Sequence, residues 1–140
     1  MARSQAGDGR RVDWFAAGVG LVLAVAIQLL AGTLLFGNGH PSLVAQGLLT
    51  FFALLIAGSV GGMIGPLEAA VWNGVIVAVG FILVEELAGA LGPVGHFGSA
   101  GMDTLGLVID DVLVLSGGTI GGLLARALRK ARRTVTDKRM

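Results

Sequence analysis

Glu85-Glu86 and Asp110-Asp111 are two pairs of adjacent carboxyls set inside hydrophobic stretches of a chain that carries no Lys or Arg from Val12 to Ala125. An ionisable residue at membrane depth is costly and marks a candidate functional site. With no cation in the same stretch, such a carboxyl must be protonated, hydrated, metal-bound or matched by another protein. Two carboxyls held close cannot both be charged cheaply, which is the elementary requirement of a proton-binding pair. With His40 and His96 the same groups would offer oxygen and imidazole ligands to a divalent cation. The spacing follows no metal-site signature, however, so the histidines read as solvated loop residues and no metal or other cofactor is expected.

Enzyme chemistry is not expected either. No nucleophile elbow, Walker loop, zinc-protease or dinucleotide motif is present, and adjacent aspartates on one helix diverge where an intramembrane protease would need two facing each other across helices. Gly58, Gly61 and Gly62 occur within an apolar run, where close helix contact explains them better than phosphate binding.

The elements that position these groups are membrane spans. A chain that is 54% hydrophobic and 14% charged, with 24 Gly in 140 residues and a mean hydropathy of +0.84, falls outside the soluble class. Four segments are long and apolar enough to cross a hydrocarbon core of about 30 Å, which takes roughly 20 helical residues. They run from Val12 to Phe36, Leu43 to Ile64, Leu67 to Leu91 and Thr104 to Leu128. Barrel strands alternate apolar and polar residues; Leu48 to Ile56 does not, so an all-α integral membrane protein is expected. The chain has no Cys, which excludes disulfide and thiolate chemistry.

Three Arg (Arg3, Arg10 and Arg11) precede the first span, and seven basic residues from Arg126 to Arg139 follow the last. Basic flanks stay on the cytoplasmic side, so both termini are expected in the cytoplasm and the protein in the plasma membrane. That requires an even number of spans, which four satisfies. The first apolar run, about 24 residues, exceeds the roughly 7 to 15 of a signal-peptide core, so an uncleaved span is expected. Residues 1–11 then form an N-terminal segment, 12–66 and 67–128 two pairs of spans, and 129–140 a basic tail suited to anionic lipid. Nucleic-acid binding by so short a tail is not expected.

The two pairs look duplicated. Leu30-Ala31-Gly32 recurs as Leu87-Ala88-Gly89, and Gly58-Ser59-Val60-Gly61-Gly62-Met63 as Gly118-Thr119-Ile120-Gly121-Gly122-Leu123. Gly39-His40 is matched by Gly95-His96 and Trp14 by Trp72, so four landmarks recur in order at offsets of 57, 60, 56 and 58. Because each unit has two spans, both αα-hairpins share one orientation, and a pseudo-twofold axis along the membrane normal is expected. The pattern from Val12 to Leu128 resembles uncharacterised families of small, four-span, Gly-rich bacterial and archaeal membrane proteins, a resemblance that brings no function with it. Small multidrug transporters keep an acidic residue in the first span where this chain has Gln28, and fluoride channels have a Gly-rich Arg motif that is missing here.

Helices in lipid associate through small residues and polar contacts. Such residues align as Ala17, Ala24, Gln28, Ala31 in the first span and Gln46, Thr50, Ala57, Gly61, Gly65 in the second. Gly74, Ala78, Glu85, Gly89 align in the third and Gly106, Asp110, Gly117, Gly121 in the fourth. The repeat sets Gln28 opposite Glu85 and Thr50 opposite Asp110, which predicts one polar layer in the outer half of the bundle. Glu86 and Asp111 are rotated by about 100° and face an adjacent helix, a partner or the lipid edge. Asp13, Ser42, Glu68 and Asp103 suit helix starts, and Trp14 and Trp72 the inner interface. Two functions follow: a structural or accessory protein that binds its own copies or a membrane-protein partner, or an oligomeric proton- or cation-coupled transporter or channel using Glu85 and Asp110.

Overall fold

The computed structural model describes residues 12–36, 42–90 and 104–137 and is all-helical there. Helix α1 spans Trp14–Phe36, α2 Leu43–Ile64, α3 Ala70–Ala90 and α4 Thr104–Asp137, with a single 3-10 turn at Leu67–Ala69 leading into α3. All four helices are long and apolar enough to cross a membrane. In hydrocarbon every backbone N–H and C=O has to be satisfied within the chain, which helices do residue by residue.

Two helix starts are capped as their sequences suggest. Asp13 Oδ1 accepts from the backbone N–H groups of Phe15 and Ala16, each at 3.1 Å, and Ser42 Oγ accepts from Ala45 N–H at 3.2 Å. Glu68 is exposed in the 3-10 turn, and Asp103 lies outside the described residues. At the end of the bundle where α1 begins, Gly65-Pro66 stops α2, because Pro cannot continue the helix and Gly65 takes an extended conformation. The fourth helix differs from its hydropathy boundary. It does not stop at Leu128 but carries Arg126, Arg129, Lys130, Arg132 and Arg133 in helical register, since Ala, Leu, Arg and Lys are good helix formers whether or not lipid surrounds them.

The packing is a diamond. Helices α2 and α3 lie against each other, α4 packs on both from one side, and α1 packs on both from the other; among the described residues α1 makes no close backbone approach to α4. Glycines permit the tightest crossing, where α2, α3 and α4 meet. A Cβ added to Gly58 would stand 2.6 Å from the carbonyl oxygen of Gly118, and one added to Gly74 would collide with the same oxygen. Ser59 Oγ donates across this seam to Gly121 O at 3.2 Å. The core above it holds Ala53, Leu54, Val77, Phe81 and Val114, while Trp14, Phe15, Leu34, Leu83 and Leu123 are among the many large apolar side chains left on the outside. That outward apolar surface suits lipid. The protein is a multi-pass membrane protein.

Candidate polar site within the bundle

Each span contributes one buried polar residue to a single layer within the bundle. Gln28 on α1, Thr50 on α2, Glu85 on α3 and Asp110 on α4 are buried, at 8, 1, 7 and 8% exposure. They are inside because they extend the stripes of small residues that let the backbones approach: Ala17, Ala24, Ala57, Gly61, Gly74, Ala78, Gly117 and Gly121 are buried on the same faces. Ala31, Gln46 and Gly106 are only partly covered, and Gly89 departs from its stripe: it is exposed, and an added Cβ there meets nothing within 4 Å.

The contacts below the layer fix its level. Helices α1 and α3 run parallel with Gly20 against Val77, and eight residues further along each stand Gln28 and Glu85. Helices α3 and α4 run antiparallel with Ala78 against Gly118; Glu85 lies seven residues beyond Ala78 and Asp110 eight before Gly118. Asn73 reaches Gly61 across the antiparallel α2–α3 pair, with Glu85 twelve residues beyond the first and Thr50 eleven before the second. The four residues therefore share one height to within about a helical turn. Glu85 is five residues from the end of α3 and Asp110 six from the start of α4, which at 1.5 Å per residue puts the layer about 8 to 9 Å below those helix ends.

Gln28 Nε2 donates to Thr50 Oγ1 at 3.0 Å, and the Thr50 hydroxyl donates in turn to the backbone oxygen of Gln46 at 3.1 Å. Because that hydroxyl hydrogen is committed to Gln46, Thr50 can only accept from Gln28, which fixes the amide with its nitrogen toward Thr50. The opposite atom, Gln28 Oε1, is buried and has no hydrogen-bond partner among the described residues, and Glu85 Oε1 is in the same condition. Asp110 and Asp111 on α4 and the neighbouring Glu86 are close enough to act on Glu85 as like charges.

Glu86 and Asp111 are exposed on the outer surfaces of α3 and α4. His40 and His96 lie outside the described residues, and among the described residues no three His, Cys, Asp or Glu side chains gather into a metal-binding group.

A second polar constellation, not expected from the sequence, ties together the end of the bundle where α1 begins. Asn73 on α3 is fully buried; its Oδ1 accepts from Asp13 N–H at 3.1 Å and its Nδ2 donates to Gly61 O at 3.3 Å. Arg129 on α4 donates from Nη1 to Gly62 O at 3.1 Å and to Gly65 O. Gly62 O, whose helical donor would be the N–H that Pro66 lacks, thus receives a donor from Arg129, and the neighbouring carbonyls of Gly61 and Gly65 receive donors from Asn73 and Arg129. Continuing the small-residue stripe of α4 one turn past the buried Gly122 and Ala125 reaches Arg129, a signal in the sequence that marks it as facing the bundle.

Comparison with family models, with curated proteins and with solved structures returns no match.

Proposed function

We propose that this chain is a structural or accessory protein of the plasma membrane that binds a membrane-protein partner, or further copies of itself, within the bilayer. The observation that supports this reading is the exposure of Glu86 and Asp111 on the outer face of two spans, where a carboxylate gains most from a cation supplied by a neighbour. The glycine-tight crossing of α2, α3 and α4 favours a scaffold over a conduit within one chain. Both termini are cytoplasmic in this reading, the two hairpins descend from one duplicated unit about a pseudo-twofold axis, and the exposed basic residues of α4 meet anionic lipid at roughly 1 kcal/mol each.

A photoreactive residue placed at position 86 or 111 in native membranes tests the partner face. The expected result is a crosslink to a second copy or to one membrane protein with Lys or Arg at that depth, weakened by Glu86→Gln or Asp111→Asn, and absent from the exposed control position Leu83. Lipid adducts alone, together with a monodisperse monomer at native expression, would end this reading.

A second reading, proton- or cation-coupled transport by an oligomer, draws support from the internal layer. Glu85 and Gln28 each carry a buried acceptor with no partner, an arrangement that costs stability and needs a reason.

A further inference from the structure

The two orphaned oxygens are on parallel, adjacent helices at one level to within about a helical turn, one an amide carbonyl and the other a carboxyl oxygen. Both residues are more than nine-tenths buried. Their surroundings are rich in acceptors, and among the described residues no donor reaches either oxygen: one N–H of the Gln28 amide is engaged with Thr50, and the Thr50 hydroxyl with Gln46. Among the described residues the groups that bear on Glu85 are Asp110 and Asp111 from α4 and Glu86 from its own helix, and from α1 and α2 the layer contributes the neutral Gln28 and Thr50. The missing component is one positive charge or one donor hydrogen. A multivalent cation such as calcium takes 6 to 8 oxygen ligands, and no metal-binding group of three acidic or histidine side chains exists among the described residues. A single hydrogen suffices, because a carboxyl O–H on Glu85 donating to Gln28 Oε1 gives that oxygen its partner and removes the buried charge.

We propose that the layer binds one exchangeable proton, held by the Glu85 carboxyl and steadied by the Gln28 amide oxygen. Binding adds H⁺ from the aqueous side to a carboxylate and gives a neutral carboxyl; release reverses it. This inference deepens the transport reading but does not depend on transport. Vesicles that show no proton flux would end the reading as a transporter and leave proton binding untouched.

Infrared difference spectroscopy of the full chain in phosphatidylcholine vesicles, stepped from neutral to alkaline pH, tests the binding. The expected result is a protonated-carboxyl carbonyl band at neutral pH that disappears on the alkaline side. It is lost in Glu85→Gln, kept in Glu86→Gln, and moved to higher frequency in Gln28→Leu, which removes the acceptor. The wild-type and Gln28→Leu spectra carry the test even if Glu85→Gln fails to fold. The proposal is overturned if no such band exists at neutral pH, if the band persists in folded Glu85→Gln, or if added sodium abolishes it at constant pH.

Discussion

Asn73 and Arg129 hold the bundle at individual atoms. Asn73 is the only described side chain that joins two other helices by hydrogen bonds from both ends of its amide, to Asp13 on the α1 side and to Gly61 of α2. Replacing it with Ala removes the partner of the part-buried Asp13 N–H and the cross-helix donor to Gly61 O, at up to about 1 to 3 kcal/mol for a group that water cannot reach. Asn73→Ala is expected to lower the unfolding midpoint in mild detergent clearly, and Arg129→Gln less, since Gln keeps a donor. A midpoint unchanged in Asn73→Ala would show that these contacts do not hold the fold. The acidic pairs were legible from sequence because carboxyls in an apolar run violate an obvious cost. Asn73 was not, because a neutral amide in a span is cheap enough to pass unnoticed and only the partner across the helix interface gives it a role. Arg129 escaped for a different reason: in a run of seven basic residues, charge alone does not separate the one that turns inward from those that meet lipid.

Helix α2 has the boundaries its apolar run predicts, Leu43 to Ile64, because a capping Ser and a Gly-Pro stop coincide with the ends of the hydrophobic stretch. The end of α4 was not legible from hydropathy, which reports solvent preference and not backbone conformation; 34 helical residues extend about 51 Å, well beyond a core of about 30 Å. Glycine content was equally ambiguous. The sequence shows many glycines but not which of them face a neighbour, and the structure divides them sharply. An added Cβ at Gly118 would stand 2.8 Å from the Cβ of Ala78 and press on the backbone of Gly74, whereas Gly18, Gly32 and Gly89 have open space. Gly118→Ala is therefore expected to destabilise by about 1 to 3 kcal/mol through overpacking. Gly32→Ala should be neutral or stabilising by up to about 1 kcal/mol from helix propensity. Thermal unfolding of the two variants side by side checks this, and equal midpoints would mean that the α2, α3 and α4 crossing is not as close as it stands.

At the level of the whole molecule, the proposed duplication and the packing agree only in part. Gly58 and Gly118, equivalent in the proposed repeat, meet each other between the parallel helices α2 and α4, as residues beside a twofold axis would. The same axis would give α1 and α4 the packing that α2 and α3 have, yet only the latter pair is close. Covalent connection supplies the reason: α2 and α3 are joined through Gly65 to Ala69 and must be neighbours, while no link returns from α4 to α1, and Asn73 draws the start of α1 toward α3. Topology can be tested independently of symmetry, and the absence of cysteine makes the experiment clean. With the basic residues confined to the flanks of the four spans, single cysteines at Asn38 and Ser99 should react with a membrane-impermeant maleimide in intact cells. Those at Ser4 and Thr136 should react only after permeabilisation. The reverse pattern would turn the bundle over and leave its basic flanks outside. It would also place Glu85 and Asp110 in the cytoplasmic half, so that any proton reaching them in a short path would come from the cell interior.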